Sequence, residues 1–245
     1  MQRGLYFKGA DRCELGEDRM ERNGAICYLV GAGRLCGPHF SPEKEDLVIA
    51  ADGGYTHLQE LGIRTDLLIG DMDSLSGAVP EGVRVLPFKP EKNDTDMALS
   101  AAYALTEGFQ RIRIYGGSGG RFDHTLANLQ LLAYLSRAGA DAILYEESAV
   151  ITAVTNGCLK FPAGEAGYLS VFAHGGCAEG VWERGLKYQL KDALLRDDVT
   201  LGVSNEFMGE AAEITVRCGT LIVVRPLTEE QKRKASWLKD CQDTI

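Results

Sequence analysis

Between residues 25 and 146, short apolar runs alternate with stretches whose apolar residues recur every three or four positions. Short apolar runs are typical of buried strands, whereas the three- and four-residue spacing indicates amphipathic helices, here over residues 95–106 and 124–138. The predicted strands are AICYLV, DLVIAA, DLLIGD, VRVLPF, RIRIYG and DAILYE. Because strands that alternate with helices form a mostly parallel sheet covered on both faces, this half is predicted to be an α/β domain.

The pattern changes after about residue 147, where short strands follow one another without helices between them. ITAVT and CLKF flank Asn156-Gly157 and are predicted to form a hairpin, and YLSVFAH, EITVRC and TLIVVRP are further strands. We therefore divide the chain into an extension (1–23), an α/β catalytic domain (24–147), an all-β domain (148–227) and a charged, helix-compatible tail (228–245) that we expect to be solvated.

The net charge of −9 and the pI near 5.0 argue against nucleic acid or an anionic membrane as the main partner. No run approaches the roughly 20 apolar residues of a membrane span, and the polar start does not resemble a signal peptide, so we expect a cytoplasmic protein. The seven cysteines form no C-x-x-C pair, which favours reduced thiols over disulfides or zinc ligands.

Three acidic residues stand at or just past the ends of predicted strands. Asp52 follows one strand, and Asp71 and Asp73 follow the next in GDMDS. The carboxyl ends of parallel strands form the ligand-binding edge of open α/β sheets. Two carboxylates this close repel unless a cation lies between them, and Mg²⁺ prefers such oxygen ligands. The alternative is that GDMDS is only a polar turn.

Two further polar clusters open the predicted helices. In KNDTD, Asp94 or Thr95 suits a helix N-cap, and Asp96 can reach back to complete the metal site. In GGSGGRFDH, residues 116–124, four glycines join a strand to a helix, where backbone amides and the helix N-terminus suit a phosphate. Arg121 would supply positive charge. Asp123 either caps the helix or reaches the metal, and His124 is either a first-turn residue or a nucleotide contact.

These clusters predict phosphoryl-type transfer, which requires charge neutralisation and positioning rather than a covalent intermediate. A dinucleotide-dependent oxidoreductase is disfavoured, because Cys36 stands where the fingerprint after Gly31 and Gly33 requires glycine or alanine.

The chain resembles the thiamine pyrophosphokinase family over nearly the whole span from residue 25 to residue 226. Six segments carry the resemblance in the same order as in the family: ADGG, GDMDS, NDTD, GGSGGRFDH with the following Asn128, GLKYQL and VSNEF. The resemblance implies a Rossmann-like catalytic domain followed by a β-sandwich, in a homodimer with active sites between the subunits. It also implies that thiamine attacks the β-phosphorus of ATP and that AMP leaves. The alternatives are a kinase of the same fold that acts on another alcohol and a non-catalytic sensor that binds a nucleotide or thiamine.

The resemblance further implies roles for individual residues. The catalytic carboxylates would be Asp71, Asp73, Asp96 and Asp123, with Asp71, Asp73 and Asp96 as Mg²⁺ ligands and Asp71 or Asp123 as the base. Thiamine would contact Asp52, Tyr188, Ser204 and Asn205, in part from the partner subunit. ATP would be held by Asp94, Thr95, Gly117, Ser118, Gly119, Gly120, Arg121, His124 and Asn128.

Overall fold

A computed structural model of the protein describes residues 24–70, 82–87 and 94–235. The helices are α1 (Gly54–Glu60), α2 (Asp96–Thr106), α3 (Phe122–Arg137) and α4 (Glu229–Ala235). The strands are β1 (Ile26–Val30), β2 (Leu47–Ala51), β3 (Leu67–Gly70), β4 (Arg84–Pro87), β5 (Arg111–Tyr115), β6 (Asp141–Tyr145), β7 (Ala149–Thr155), β8 (Cys158–Phe161), β9 (Tyr168–Ala173), β10 (Ala178–Arg184), β11 (Leu190–Leu195), β12 (Asn205–Glu206), β13 (Ala212–Thr215) and β14 (Thr220–Pro226). The chain is therefore a mixed α/β protein.

Ten of these strands form one sheet, in the order β12-β9-β14-β7-β6-β5-β1-β2-β3-β4. The six strands from β6 to β4 are parallel, which confirms the strands predicted for the first half. At β7 the pairing becomes antiparallel, and it stays so through β14, β9 and β12. The sheet thus continues without a break across residue 148, where the sequence pattern changes.

The parallel strands β1, β2 and β3 are buried on both faces because helices pack against each face of the sheet. In β1, Cys27 and Leu29 pack in one core with residues of α2 and α3, whereas Tyr28 and Val30 face the other core with residues of α1. This alternation explains why the strands of the first half are continuously apolar in the sequence. Both predicted helices are confirmed, as α2 and α3.

Strands β11, β10, β13 and β8 form a second, antiparallel sheet. Its apolar side chains share one buried cluster with β7, β9 and β14 of the large sheet, for example Ile214 with Val171 and Val223. The antiparallel end of the large sheet and the small sheet therefore pack against each other.

The predicted hairpin at Asn156-Gly157 is wrong. The chain does turn there, and Asn156 adopts a left-handed φ of 48°, but β7 and β8 do not pair. Both edges of β7 are occupied by β6 and β14, and β8 pairs instead with β13. The turn therefore carries the chain from one sheet to the other.

The segment after residue 227 begins with a docked helix. Thr228 and Gln231 form reciprocal side-chain to backbone hydrogen bonds at the start of α4, and His39 N–H donates to the carbonyl of Lys234. These contacts anchor the helix, while the side chains of residues 229, 230 and 232–234 are exposed, in agreement with the expectation of a solvated segment. Among the described helices none is both long and apolar enough to cross a membrane.

Candidate active site

A cavity of about 320 Å³ opens at the carboxyl ends of β1, β2 and β5, at the edge where ligands bind in open α/β sheets. Nine residues predicted from the sequence line it: Asp52, Thr95, Asp96, Gly117, Ser118, Gly120, Arg121, His124 and Asn128. Six more complete the described lining: Gly31, Ala32, Gly33, Ala51, Met97 and Gly116. The predicted convergence of the polar clusters at one sheet edge is thus seen for the described residues.

Two glycine loops form the floor of this cavity by packing directly against each other. Gly33 N–H donates to the Gly116 carbonyl at 2.9 Å, and Arg34 N–H donates to the Ser118 carbonyl at 2.7 Å. A Cβ on Gly33 would lie 2.2 Å from the Ser118 carbonyl oxygen, so no larger residue fits without separating the loops. In the sequence, Gly31 and Gly33 indicate only an incomplete dinucleotide motif, although their position directly after a strand is a signal for a loop at the ligand-binding edge.

Two side chains hold the glycine loops in place by contacts with their carbonyl groups. The Asn128 amide, which is buried, donates to the Gly117 carbonyl at 2.6 Å, and the His57 Nε2 atom lies 2.9 Å from the Gly33 carbonyl oxygen. The Ser118 hydroxyl is also buried and has no hydrogen-bond partner in the part of the chain that the structure describes. Asn128 therefore holds the loop, and Ser118 is the side chain with unused hydrogen-bonding capacity.

The N-terminus of α3 follows the second glycine loop. Its N-cap residue, Arg121, makes no side-chain capping hydrogen bond and instead pairs with the exposed carboxylate of Asp123. The hydrogen bond from Arg121 lowers the pKa of Asp123 below its ordinary value. Arg121 and His124 line the cavity, whereas Asp123 is not among its described lining residues. Positive charge and a helix N-terminus therefore face this space.

Two carboxylate residues, Asp52 and Asp96, line the cavity from the opposite direction. Asp52 has a left-handed φ of 49°, and its N–H donates to the Ile69 carbonyl of β3 at 2.8 Å. The predicted ligands Asp71 and Asp73 lie outside the described residues. Gly70, the residue before Asp71, lies against Asp52, since a Cβ on Gly70 would be 3.2 Å from the Asp52 Cα.

Two other predicted nucleotide contacts, Asp94 and Gly119, do not line the cavity. Asp94 is not among the lining residues; with Thr95 it borders a neighbouring groove between α2 and α3. Thr95 is the N-cap of α2, and its hydroxyl accepts a hydrogen bond from Ala98 N–H at 3.2 Å. Gly119, with φ of 76°, packs against Arg34 and is not among the lining residues either. Their roles in binding stay predictions.

The second group of predicted residues lies in the β-rich half, where GLKYQL and VSNEF run side by side. Leu186 and Phe207 form an isolated antiparallel β-bridge, and Lys187 N–H donates to the Glu206 carbonyl at 3.0 Å. The Tyr188 ring is 62% exposed, and Ser204 is exposed with a left-handed φ of 60°. We call residues 186–188 together with 204–207 the Tyr188 corner.

Asn205 has a different environment from its neighbours in the Tyr188 corner. It is buried, its Oδ1 accepts from the N–H groups of Tyr188 and Glu206, and its Nδ2 donates to Glu183 and to the Tyr188 carbonyl. Both donors and both acceptor positions of the amide are therefore engaged within the protein. This arrangement suits Asn205 to holding the corner together; direct contact with a ligand stays a prediction.

The cavity and the Tyr188 corner are far apart within one chain. Five strand-to-strand steps separate β5 from β12 in the large sheet, which corresponds to about 24 Å along the sheet. No described residue that lines the cavity comes from the β-rich half. The two regions of one chain are therefore separated by four intervening strands of the large sheet.

Comparison with known protein families gives two matches. A family model described as "Thiamin pyrophosphokinase, catalytic domain" matches residues 41–144, and one described as "Thiamin pyrophosphokinase, vitamin B1 binding domain" matches residues 158–221. The cavity lies mainly in the first match, and the Tyr188 corner lies in the second. Together the two models account for more than half of the chain.

Individual relatives agree with these matches. The thiamine pyrophosphokinase of Bacillus subtilis is 27% identical over 196 residues, covering 75% of this chain and 88% of that protein. A thiamin pyrophosphokinase family protein from Enterococcus faecalis has a crystal structure with a TM-score of 0.69 at 27% identity, covering 83% and 100% of the two chains. The crystal structure of the Bacillus subtilis thiamine pyrophosphokinase, at 24% identity, covers 84% and 99% with a TM-score of 0.70, which supports the fold.

Proposed function

The chain belongs to the thiamin pyrophosphokinase family, and we propose that it transfers the pyrophosphoryl group of ATP to the hydroxyl of thiamine. The products are thiamine diphosphate and AMP, with one proton released. In this proposal residues 24–147 act as a Rossmann-like catalytic unit and residues 148–227 as a β-sandwich that binds the vitamin.

The observation that carries this proposal is the cavity floor made from two interlocked glycine loops at the start of α3. Backbone N–H groups and a helix N-terminus attract a polyphosphate, and glycines allow it to approach the main chain closely. Arg121 adds a fixed cation, and the Ser118 hydroxyl offers a buried hydrogen-bonding group. These groups together suit the phosphates and ribose of ATP.

The donor set at the opposite side of the cavity fits Mg²⁺. Asp52 and Asp96 offer carboxylate oxygens, which hard divalent cations prefer. The described residues alone contain no group of three His, Cys, Asp or Glu side chains placed to hold a metal. We therefore propose that Asp71 and Asp73 join Asp96 as ligands. When bound, the cation would neutralise charge on the phosphates.

The chain's own residues account for positioning and for the proton. Arg121 and the glycine loops would hold the phosphates in line with the attacking hydroxyl, so that catalysis rests on orientation and charge stabilisation. The pKa of Asp123 is lowered by its hydrogen bond with Arg121, which makes Asp123 a weaker proton acceptor than an ordinary carboxylate. We therefore propose Asp71 as the base and a charge-balancing role for Asp123.

The separation of about 24 Å along the sheet supports a homodimer in which each site uses two chains. The cavity of one subunit would bind ATP, and the Tyr188 corner of the other would bind thiamine. The Tyr188 ring is exposed enough to stack on a planar heterocycle, and Ser204 is exposed beside it. In this arrangement a single chain would be inactive.

The reaction is tested by incubating purified protein with ATP and Mg²⁺, with and without thiamine, and identifying both products by mass spectrometry. We expect AMP and thiamine diphosphate to appear only when thiamine is present. Formation of ADP and thiamine monophosphate would instead identify a simple kinase. Tight thiamine or ATP binding with no turnover would overturn the proposal in favour of a sensor.

The shared site is tested by mixing two impaired variants, Asp96→Asn and Tyr188→Ala, after brief dissociation and reassociation, and by assaying them at a thiamine concentration far below the wild-type KM. If each site combines two chains, a mixed dimer contains one site with both wild-type residues, so about a quarter of all sites recover. If each site lies within one chain, the activity of the mixture stays at the average of its two components. Asp96→Asn mixed with itself is the matched control.

A further inference from the structure

The β-rich half contains one fully buried acidic residue that the proposed mechanism does not use. Glu183 lies on β10 with its side chain 1% exposed, facing the apolar cluster between the two sheets. Its neighbours in register are Ile214 on β13 and Leu190 on β11. Glutamate is almost never buried to this degree without a partner, so its position needs a specific explanation.

The two oxygens of the Glu183 carboxyl have different surroundings. Glu183 Oε2 accepts from Asn205 Nδ2 at 2.6 Å, whereas Oε1 has no hydrogen-bond partner among the described residues. Burial raises the pKa of Glu183, and the hydrogen bond from Asn205 opposes this effect. A protonated carboxyl at this position avoids burying a net charge and still accepts the bond from Asn205 through Oε2.

Asn205 links Glu183 to the backbone of Tyr188 by hydrogen bonds. Its Oδ1 accepts from Tyr188 N–H at 3.0 Å, and its Nδ2 also donates to the Tyr188 carbonyl at 2.6 Å. Both backbone groups of the residue that carries the exposed ring are therefore bound to one amide. Glu183 helps to set the orientation of that amide, together with the N–H groups of Tyr188 and Glu206 that donate to Oδ1, because the Nδ2 side donates to the carboxyl oxygen.

We propose that Glu183 is a positioning residue for the vitamin, acting through Asn205 on the backbone that presents the Tyr188 ring. This inference rests on the proposed function, in which the Tyr188 corner binds thiamine. Without Glu183, one amide proton of Asn205 loses its partner in a buried site, and the amide can rotate away from Tyr188. The ring would then be presented to thiamine in several orientations instead of one, which weakens binding.

The test compares three substitutions at one position. Glu183→Met keeps the length and apolar bulk but removes the acceptor, Glu183→Asp withdraws the carboxyl by one methylene, and Glu183→Gln keeps an acceptor oxygen in a neutral group of the same shape. We expect Met and Asp to raise the KM for thiamine about tenfold, and Gln to stay within about threefold of wild type. For all three, kcat and the KM for ATP should stay within about twofold.

The matched control is Glu179→Met, a change of the same kind at an exposed position on the same strand, which should leave every constant unchanged. Thermal unfolding establishes that each variant is folded; if Met does not fold, Asp carries the same expectation. An unchanged KM for thiamine in the folded variants, or an equal loss for both substrates, overturns the inference. If wild type itself makes no thiamine diphosphate, the proposed function fails, which is a different result.

Discussion

The cavity and the Tyr188 corner are built by different means. The cavity is shaped mainly by the main chain. Its glycine loops hydrogen-bond to each other, and the N-terminus of α3 faces the cavity. At the corner, side chains hold the main chain, because Asn205 binds both backbone groups of Tyr188 and is itself held by Glu183. A phosphate can be bound by any well-placed backbone amide, whereas an exposed ring needs a fixed orientation.

This comparison predicts that losing charge at the cavity is the most damaging change. Asp96→Asn should lower kcat/KM about a thousandfold, because it removes a carboxylate next to the transferring phosphates while leaving the shape unchanged. Thiamine-dependent AMP release measures the effect. Asp197→Asn, at an exposed position in the β-rich half, should have no effect. Residual activity above a tenth of wild type would exclude Asp96 from the catalytic group.

A steric change at the glycine loops should be the next most damaging. In Gly33→Ala the new methyl group would lie 2.2 Å from the Ser118 carbonyl oxygen, so the loops must separate. We expect kcat/KM for ATP to fall about thirtyfold, the typical scale of overpacking by 1–3 kcal/mol. Gly157→Ala, whose added carbon would meet its nearest neighbours at 3.4 Å, is the control. Equal behaviour of the two variants would contradict the interlocked-loop description.

A change at the corner should affect only the vitamin. Tyr188→Ala should raise the KM for thiamine about tenfold and leave the KM for ATP unchanged, because in the proposed dimer it removes the ring that would stack on thiamine and none of the groups that would hold ATP. Tyr188→Phe keeps the ring and should behave like wild type. If Ala raised both KM values together, the corner and the cavity would not be separate binding regions.

The smallest expected effect concerns pH and stability. Burial raises the pKa of Glu183 above its ordinary value of 4.5, so above that pH the folded protein keeps a proton that the unfolded chain releases. The free energy of unfolding therefore decreases as the pH rises through this window. Glu183→Gln removes the linkage, so the Tm of this variant relative to that of wild type should increase as the pH rises from 5 to 8. Glu179→Gln should show a constant difference, and a constant difference for Glu183→Gln would mean that its pKa is not raised.

Much of the cavity could be predicted from the sequence because its parts are local. A short apolar run followed by glycine, aspartate or threonine identifies the end of a strand and the start of a helix, and parallel strands bring such ends to one edge. Thr95, Asp96 and Ser118 were therefore found as neighbours across long stretches of chain. The loop at Gly31 and Gly33 was missed as a site because its packing against the loop at Gly116 is visible only in three dimensions.

The β-rich half shows what only the tertiary structure decided. Asn156-Gly157 specifies a tight turn by its φ preference, but whether the flanking strands pair depends on which sheet edges are available, and β6 and β14 already occupy β7. Likewise nothing near Glu183 in the sequence indicates that it is buried or that it meets Asn205. The sequence by itself determined most of the strands, the helices α2 and α3 and the polar motifs at the strand ends, because each depends on neighbouring residues, whereas α1, β10, β11 and β12 were not predicted. Sheet continuity, the hydrogen bonds of Asn205 and the distance between the two regions depend on long-range pairing, which only the folded chain defines.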